Sequence, residues 1–166
     1  LPFSSSSFSC VLFAQNVYPE LFDPMDRKNV IYHGEIRNPA TSGCLDTLGA
    51  RDRGGEIGVY PCHGQGGTQD FLYGTHYEIR VGAVNDYTSC LEVKDSRIFI
   101  YGCSLADRQQ FVYDQNSKQF RNTKTDTCLT ATKEPTSKSP LSLSMQPCVS
   151  RNPNMEWVLK SIGMVQ

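Results

Sequence analysis

Three places along this chain set a different polar side chain directly behind a Cys-Leu pair: Cys44-Leu45-Asp46, Cys90-Leu91-Glu92 and Cys128-Leu129-Thr130. Each is followed by a second cysteine, and two residues before that cysteine stands Tyr60, Tyr101 or Gln146. Only the first series runs on into an imidazole, His63, directly after Cys62. A carboxylate accepts hydrogen bonds more strongly than a neutral oxygen does. A tyrosine offers an apolar ring face with a polar handle, and an imidazole donates or accepts according to its tautomer. Taken singly, the three have blander readings: a turn aspartate bonding nearby backbone, a core tyrosine, a surface histidine. Their register relative to the cysteines makes Asp46, Tyr60 and His63 a candidate binding constellation.

That register comes from a repeat. Glu35-Ile36-Arg37, Glu78-Ile79-Arg80 and Gln119-Phe120-Arg121 each precede a Cys-Leu pair by a few residues. Each unit ends in an aromatic anchor, Phe71, Phe111 or Trp157, eight or nine residues past its second cysteine. A period of about 40 residues marks one structural unit used three times. Short apolar runs lead into each second cysteine: Ile57-Gly58-Val59-Tyr60, Ile98-Phe99-Ile100-Tyr101, and Leu141 to Met145. The last alternates apolar with polar, as a half-buried strand does. Turn chemistry surrounds them at Arg53-Gly54-Gly55, Asp95-Ser96 and Pro135 to Pro140. No segment keeps a helical apolar period for three turns. The pattern therefore predicts an all-β, pseudo-threefold domain of about four short strands per repeat, with Phe71, Phe111 and Trp157 in the core.

Six of the seven cysteines fall two to a repeat. Six cysteines permit fifteen pairings. Repeat symmetry favours Cys44–Cys62, Cys90–Cys103 and Cys128–Cys148, since equivalent residues then close equivalent loops. Zinc is the competing use, but no Cys-x-x-Cys spacing occurs and the three histidines stand apart from most of the cysteines. An oxidising compartment follows from this reading. Cys10 is left without a partner.

Sixteen basic and seventeen acidic residues, scattered along the chain, give no footprint for nucleic acid or an anionic membrane. No apolar run approaches the roughly 20 residues of a membrane-spanning helix. Hydrolase signatures such as Gly-x-Ser-x-Gly and His-Glu-x-x-His are missing. Gly66-Gly67 lacks the Lys-Ser/Thr of a phosphate loop, which leaves it to turn geometry. His33 and His76 have no comparable context and are read as incidental.

The residues Cys44-Leu45-Asp46, the run Gly58 to Gly67 with Cys62-His63-Gly64 at its centre, and Gln69-Asp70-Phe71 resemble a ricin-type lectin repeat with its Gln-x-aromatic signature. More narrowly, the chain resembles the C-terminal lectin domain of the polypeptide N-acetylgalactosaminyltransferases. Asn16-Val17-Tyr18-Pro19-Glu20-Leu21 is similar to that family's linker from the catalytic domain. The resemblance covers residues 16–160 and implies a β-trefoil. It implies binding of N-acetylgalactosamine (GalNAc) or galactose on O-glycosylated peptides and proteins.

In that setting the first repeat's Asp46, Tyr60 and His63 fall on the family's sugar-binding positions. The carboxylate would take vicinal hydroxyls, the ring the apolar face of the sugar. Thr68 stands where the family usually has asparagine, a loss of one two-donor amide. Gln69 is expected to brace the pocket without touching sugar. Glu92 and Tyr101 make the second repeat a weaker candidate, with Arg108 at the asparagine position. Thr130, Gln146 and Met155 make the third structural.

The resemblance implies the following layout. Residues 1–15 are a disordered or aberrant N-terminal segment and 16–30 a linker. Residues 31–160 are the trefoil (repeats 34–76, 77–117 and 118–160), and 161–166 a tail. Catalysis is not expected on this chain, because the family's Asp-x-His manganese motif is absent. Manganese and UDP-GalNAc belong to the catalytic domain of a parent transferase. Expected partners are GalNAc- or galactose-bearing glycoproteins and, if fused, that catalytic domain. The expected setting is the secretory pathway: the Golgi lumen within a transferase, otherwise the exterior. A trefoil kept as a protein-interaction scaffold, with no sugar site, is the alternative.

Overall fold

A computed structural model describes residues 27–83 and 87–161. Cys10, the N-terminal segment, most of the expected linker and nearly all of the tail lie outside these residues. Among the described residues, a 3-10 turn at Arg27–Asn29 is followed by twelve strands, four to a repeat. Repeat one holds β1 (Val30–Asn38), β2 (Gly43–Asp46), β3 (Gly58–Pro61) and β4 (Phe71–Gly74). Repeat two holds β5 (Ile79–Val81), β6 (Ser89–Lys94), β7 (Arg97–Gly102) and β8 (Phe111–Asp114). Repeat three holds β9 (Gln119–Asn122), β10 (Thr127–Thr132), β11 (Ser142–Pro147) and β12 (Val158–Ser161). All strand pairs are antiparallel, and β12 closes onto β1 in the register Arg37↔Val158 to Gly34↔Ser161.

The repeat explains the core. Four equivalent positions per unit are buried in one cluster: Ile36, Ile79 and Phe120; Leu45, Leu91 and Leu129; Val59, Ile100 and Met145; Phe71, Phe111 and Trp157. Strand alternation turns these side chains into the cluster and their neighbours to the other face of the strand, where Glu35, Cys44 and Asp46 are buried too. Trp157 also satisfies its indole N–H on Leu129 O at 2.9 Å, as a buried donor requires. Truncating such a ring to alanine costs about 3–5 kcal/mol.

The units are stitched to one another by polar bonds that recur. Tyr73 donates to Phe111 O at 2.8 Å, and Tyr113 donates to Trp157 O at 2.7 Å, so one repeat's tyrosine holds the next repeat's anchor. The hairpin loops do likewise. Gly54 N–H donates to Ile100 O, Met145 N–H to Ser96 O, and the Ser139 hydroxyl to Val59 O. Val59, Ile100 and Met145 are the same position in the three units, so each loop grips the next repeat in a closed ring.

The cysteines pair within repeats, Cys44–Cys62, Cys90–Cys103 and Cys128–Cys148, with Cα separations of 5.1, 4.9 and 5.0 Å. Each bond ties the second strand of its unit to the segment just after the third. In repeat one that places Asp46 and His63 at opposite ends of one short hairpin.

Candidate sugar-binding site

Asp46 ends β2, and its cross-strand partner on the same face is Gly58. Tyr60 faces Cys44 across the same hairpin. A 3-10 turn at Gly67–Gln69 then folds back, with Gly66 and Gly67 at positive φ (69° and 60°), where a side chain is disfavoured. This turn carries Thr68 and Gln69 to the carboxylate.

Asp46 is almost fully buried, yet its oxygens are well partnered. Oδ1 accepts the Leu48 N–H at 2.7 Å. Oδ2 accepts Gln69 Nε2 at 2.9 Å and the Thr68 hydroxyl at 3.2 Å. Gln69 is itself locked: Nε2 also donates to Pro61 O at 3.1 Å, and Oε1 accepts the His63 N–H at 3.2 Å. One buried amide thus fixes the carboxylate, the end of β3 and the backbone of His63. The His63 ring accepts the Gln65 N–H on Nδ1 at 3.1 Å. A neutral ring with Nδ1 accepting carries its proton on Nε2 and offers a donor.

Asp46, Tyr60, His63 and Thr68 line one shallow depression of about 270 Å³, together with Leu48, Gly49 and Lys138. Tyr60 is 44 % exposed although every core aromatic is sealed, so its ring is free to serve as a platform. All four residues expected from the sequence therefore meet in one place. Lys138 was not foreseen. It comes from the β10–β11 loop of repeat three, more than ninety residues from Asp46, and Ser139 beside it is the residue docked onto Val59.

The second repeat reproduces the brace but not the opening. Gln109 Nε2 donates to Glu92 Oε2 at 2.8 Å and to Gly102 O at 2.9 Å, and the Ser104 N–H donates to Gln109 Oε1 at 2.9 Å. Across from Glu92, however, stands Phe99 where repeat one has Gly58. The Arg53 guanidinium from the β2–β3 loop lies over Gly102, with Cζ 3.0 Å from where a Cβ would be. Tyr101 is half-buried and Arg108 exposed. In the third repeat Thr130 bonds its own strand at Cys128 O, Gln146 bonds Ser144, and Met155 Sδ takes the Val149 N–H at 3.4 Å. No carboxylate stands at that position.

His33, read as incidental, is instead bonded to Asp70 Oδ1 at 2.8 Å and to the Tyr87 hydroxyl at 2.9 Å. Asp70 and Tyr87 lie 37 and 54 residues away, so no local motif announces the cluster. Among the described residues, the metal-like grouping Glu35, Cys44 and Cys62 has both sulfurs in a disulfide, which leaves no thiolate to ligate.

The profile of the ricin-type β-trefoil lectin domain matches residues 32–157, and the chain belongs to that family. It is 31 % identical over 153 residues to human polypeptide N-acetylgalactosaminyltransferase 6, covering 88 % of this chain and 23 % of the transferase. It is 32 % identical over 154 residues to the fruit-fly (Drosophila melanogaster) putative polypeptide N-acetylgalactosaminyltransferase 9, covering 90 % of this chain and 22 % of that one. The chain thus spans less than a quarter of the length of these two relatives. Among solved structures, GalNAc-T7 with UDP, GalNAc and Mn2+ aligns with a TM-score of 0.66 at 24 % identity, over 80 % of this chain and 23 % of that one. The earthworm R-type lectin C-half in complex with GalNAc aligns at 0.64 and 13 % identity, over 78 % of this chain and 98 % of that one. At these identities the structures speak for the fold alone, a β-trefoil.

Proposed function

We propose that this domain recognises a terminal GalNAc or galactose residue through its first repeat. The observation that carries the reading is Asp46: a buried carboxylate held by Gln69, Thr68 and the Leu48 amide, at the floor of a depression whose rim is Tyr60 and His63. Oδ1 retains acceptor capacity for sugar hydroxyls, Tyr60 supplies a ring face, and His63 Nε2 supplies a donor. Thr68 already donates its hydroxyl proton to Asp46, so toward a ligand it offers an acceptor where an asparagine would offer two N–H groups. Among proteins that share the fold, the earthworm R-type lectin C-half was solved in complex with GalNAc, one of the two sugars proposed here.

On this reading the chain recognises and does not catalyse. A shallow one-sugar site binds weakly, near a millimolar dissociation constant or about −4 kcal/mol. Such a site works by raising effective concentration when joined to a second domain. The matched relatives are transferases, and a module of this kind would direct a fused catalytic domain to proteins that already carry GalNAc. Manganese and UDP-GalNAc would be bound in that catalytic domain. Three disulfides favour the secretory pathway. No helix among the described residues is long and apolar enough to cross a membrane.

Calorimetric titration of the intact domain with GalNAc and with galactose tests the reading. Saturable binding that disappears in Asp46→Ala supports it. Absence of binding to either sugar, or binding unchanged in Asp46→Ala, rejects it.

A further inference from the structure

Beside the depression over Asp46 lies a second one, of about 200 Å³, walled by Glu56 and Arg97 on one side and by Thr136, Ser137 and Ser142 on the other. The two share Leu48 and Lys138 in their linings, so they are neighbours with those two side chains at their common border. Neither alone reaches the roughly 300 Å³ at which small-molecule sites begin; joined, they do.

The second depression sits where the three hairpins meet, and its lining is amphipathic. Leu48, Ile57, Leu141 and Leu143 supply aliphatic surface. Arg97 and Glu56 form a two-pronged ion pair, the Nε–Oε1 bond being 2.6 Å, which leaves oxygens and N–H groups at its edge. Ser137 and Ser142 contribute hydroxyls, whereas that of Thr136 is spent on Ser139 O and on the Lys138 and Ser139 N–H groups. Apolar patches interleaved with fixed donors and acceptors fit a pyranose ring. They do not fit an added peptide strand, because the hairpin backbones here already bond one another: Ile57 N–H to Ile98 O and Met145 N–H to Ser96 O.

Among the described residues, the hairpin loops that reach the three repeats differ in a way that bears on this extension. The loop reaching repeat two brings Arg53 down onto Gly102 and covers it. The loop reaching repeat three is the two-residue turn Asp95-Ser96, too short to form a wall. The loop reaching repeat one runs from Lys133 to Leu141 and is held by its own bonds: the Lys138 and Ser139 N–H groups donate to Thr136 Oγ1 at 3.2 and 3.0 Å. It borders the Asp46 depression without filling it. Among the ion pairs of the described residues Lys138 has none.

From this we infer that the first-repeat site takes a glycan of at least two sugar residues. The terminal sugar sits over Asp46, the next lies between the hairpins against Arg97 and Ser137, and Lys138 spans the junction. The inference rests on the monosaccharide reading above and names the class of ligand that site selects.

The test is a titration of the intact domain with galactose, GalNAc, lactose, N-acetyllactosamine, Galβ1-3GalNAc and a GalNAc-bearing peptide. At least one disaccharide should bind about tenfold or more tightly than its own terminal monosaccharide. Ser137→Trp, at an exposed position that lines only the second depression, should abolish that gain and leave monosaccharide affinity as it was. Arg97→Gln, which breaks an exposed ion pair, should reduce the gain without unfolding the domain. Monosaccharide binding with no disaccharide preferred overturns the inference and spares the monosaccharide reading. So does a gain confined to the glycopeptide, or one that Ser137→Trp leaves intact while monosaccharide binding persists. Binding of none of the probes overturns both.

Discussion

The side-chain amide of Gln69 donates to Asp46 Oδ2 at 2.9 Å while its carbonyl oxygen holds the His63 amide at 3.2 Å. Gln109 makes the same bonds to Glu92 and Ser104, and Met155 makes only a weak substitute through sulfur. The glutamine of the Gln-x-aromatic signature therefore positions the site from behind. The third repeat shows that the fold accepts methionine there. Gln69→Met should keep the trefoil but leave a buried carboxylate oxygen short of a donor, costing about 1–3 kcal/mol. Sugar affinity should fall about tenfold, because both Asp46 and the His63 backbone lose their brace. Gln109→Met should cost similar stability in thermal or denaturant unfolding and leave affinity as it was. Equal affinities for the two variants would refute the bracing role.

Much of this was legible in the sequence because the repeat is a threefold experiment in what can vary. Asp46, Tyr60 and His63 stood out because only the first repeat has all three together, while every repeat has its two cysteines and an aromatic anchor. What the repeat could not disclose are contacts between units. Lys138 enters the first site from the third repeat only because Ser139 docks on Val59, eighty residues away. Asn38 and Asn122 pin the 3-10 turns at Pro153–Met155 and Asp107–Gln109. Val81 holds the equivalent place and has no amide, so the turn bearing Thr68 and Gln69 is tied by backbone bonds from the Gly82 N–H to Asp70 O and from the Thr47 N–H to Thr68 O. His33, Asp70 and Tyr87 likewise meet only through tertiary folding.

Tyr60 separates binding from stability. It is 44 % exposed and contributes no described side-chain bond to the fold. Tyr60→Ala should therefore change unfolding free energy by no more than about 0.5 kcal/mol. It should also cost about tenfold in affinity through the lost ring face. Tyr101→Ala is the control: in the second repeat Phe99 and Arg53 flank Glu92 and Gly102, and titration should show the same isotherm as the wild type. A halved stoichiometry in Tyr101→Ala would instead give the second repeat a working site.

The three disulfides close loops of 18, 13 and 20 residues, each worth roughly 3 kcal/mol in the chain-entropy picture. Paired replacement of Cys90 and Cys103 by alanine should lower stability by about that much and leave sugar affinity alone. The same replacement at Cys44 and Cys62 should lower both, since Tyr60 and His63 flank Cys62 and Asp46 follows Cys44 by two residues. Affinities measured well below each variant's unfolding temperature distinguish the two. If both double variants bind equally well, the first disulfide has no part in shaping the site.

Alkaline pH should unfold the domain through its inter-repeat tyrosines. Burial pushes the Tyr73 hydroxyl up to about 12, partly offset by the hydrogen bond from the Tyr113 amide. Burial raises Tyr113 as well, with the Asp114 charge adding to it, and raises Tyr32 further still, with Glu35 adding to it. An unfolded tyrosine ionises near pH 10. Below that value the phenols are protonated in both states and their contribution to stability is complete. As pH rises from about 10 towards 12 the unfolded chain releases these protons first, so the contribution is lost across that window. Phenolate absorbance should show an early phase from exposed tyrosines and a late one that coincides with loss of the circular-dichroism signal. Tyr73→Phe should lower stability at neutral pH by about 1–3 kcal/mol, because Phe111 O and the Tyr113 N–H lose their partner. It should also flatten the fall in stability above pH 10. A single phase near pH 10 in which every tyrosine ionises while the fold stays intact would contradict the role given to Tyr73 and Tyr113 between the repeats.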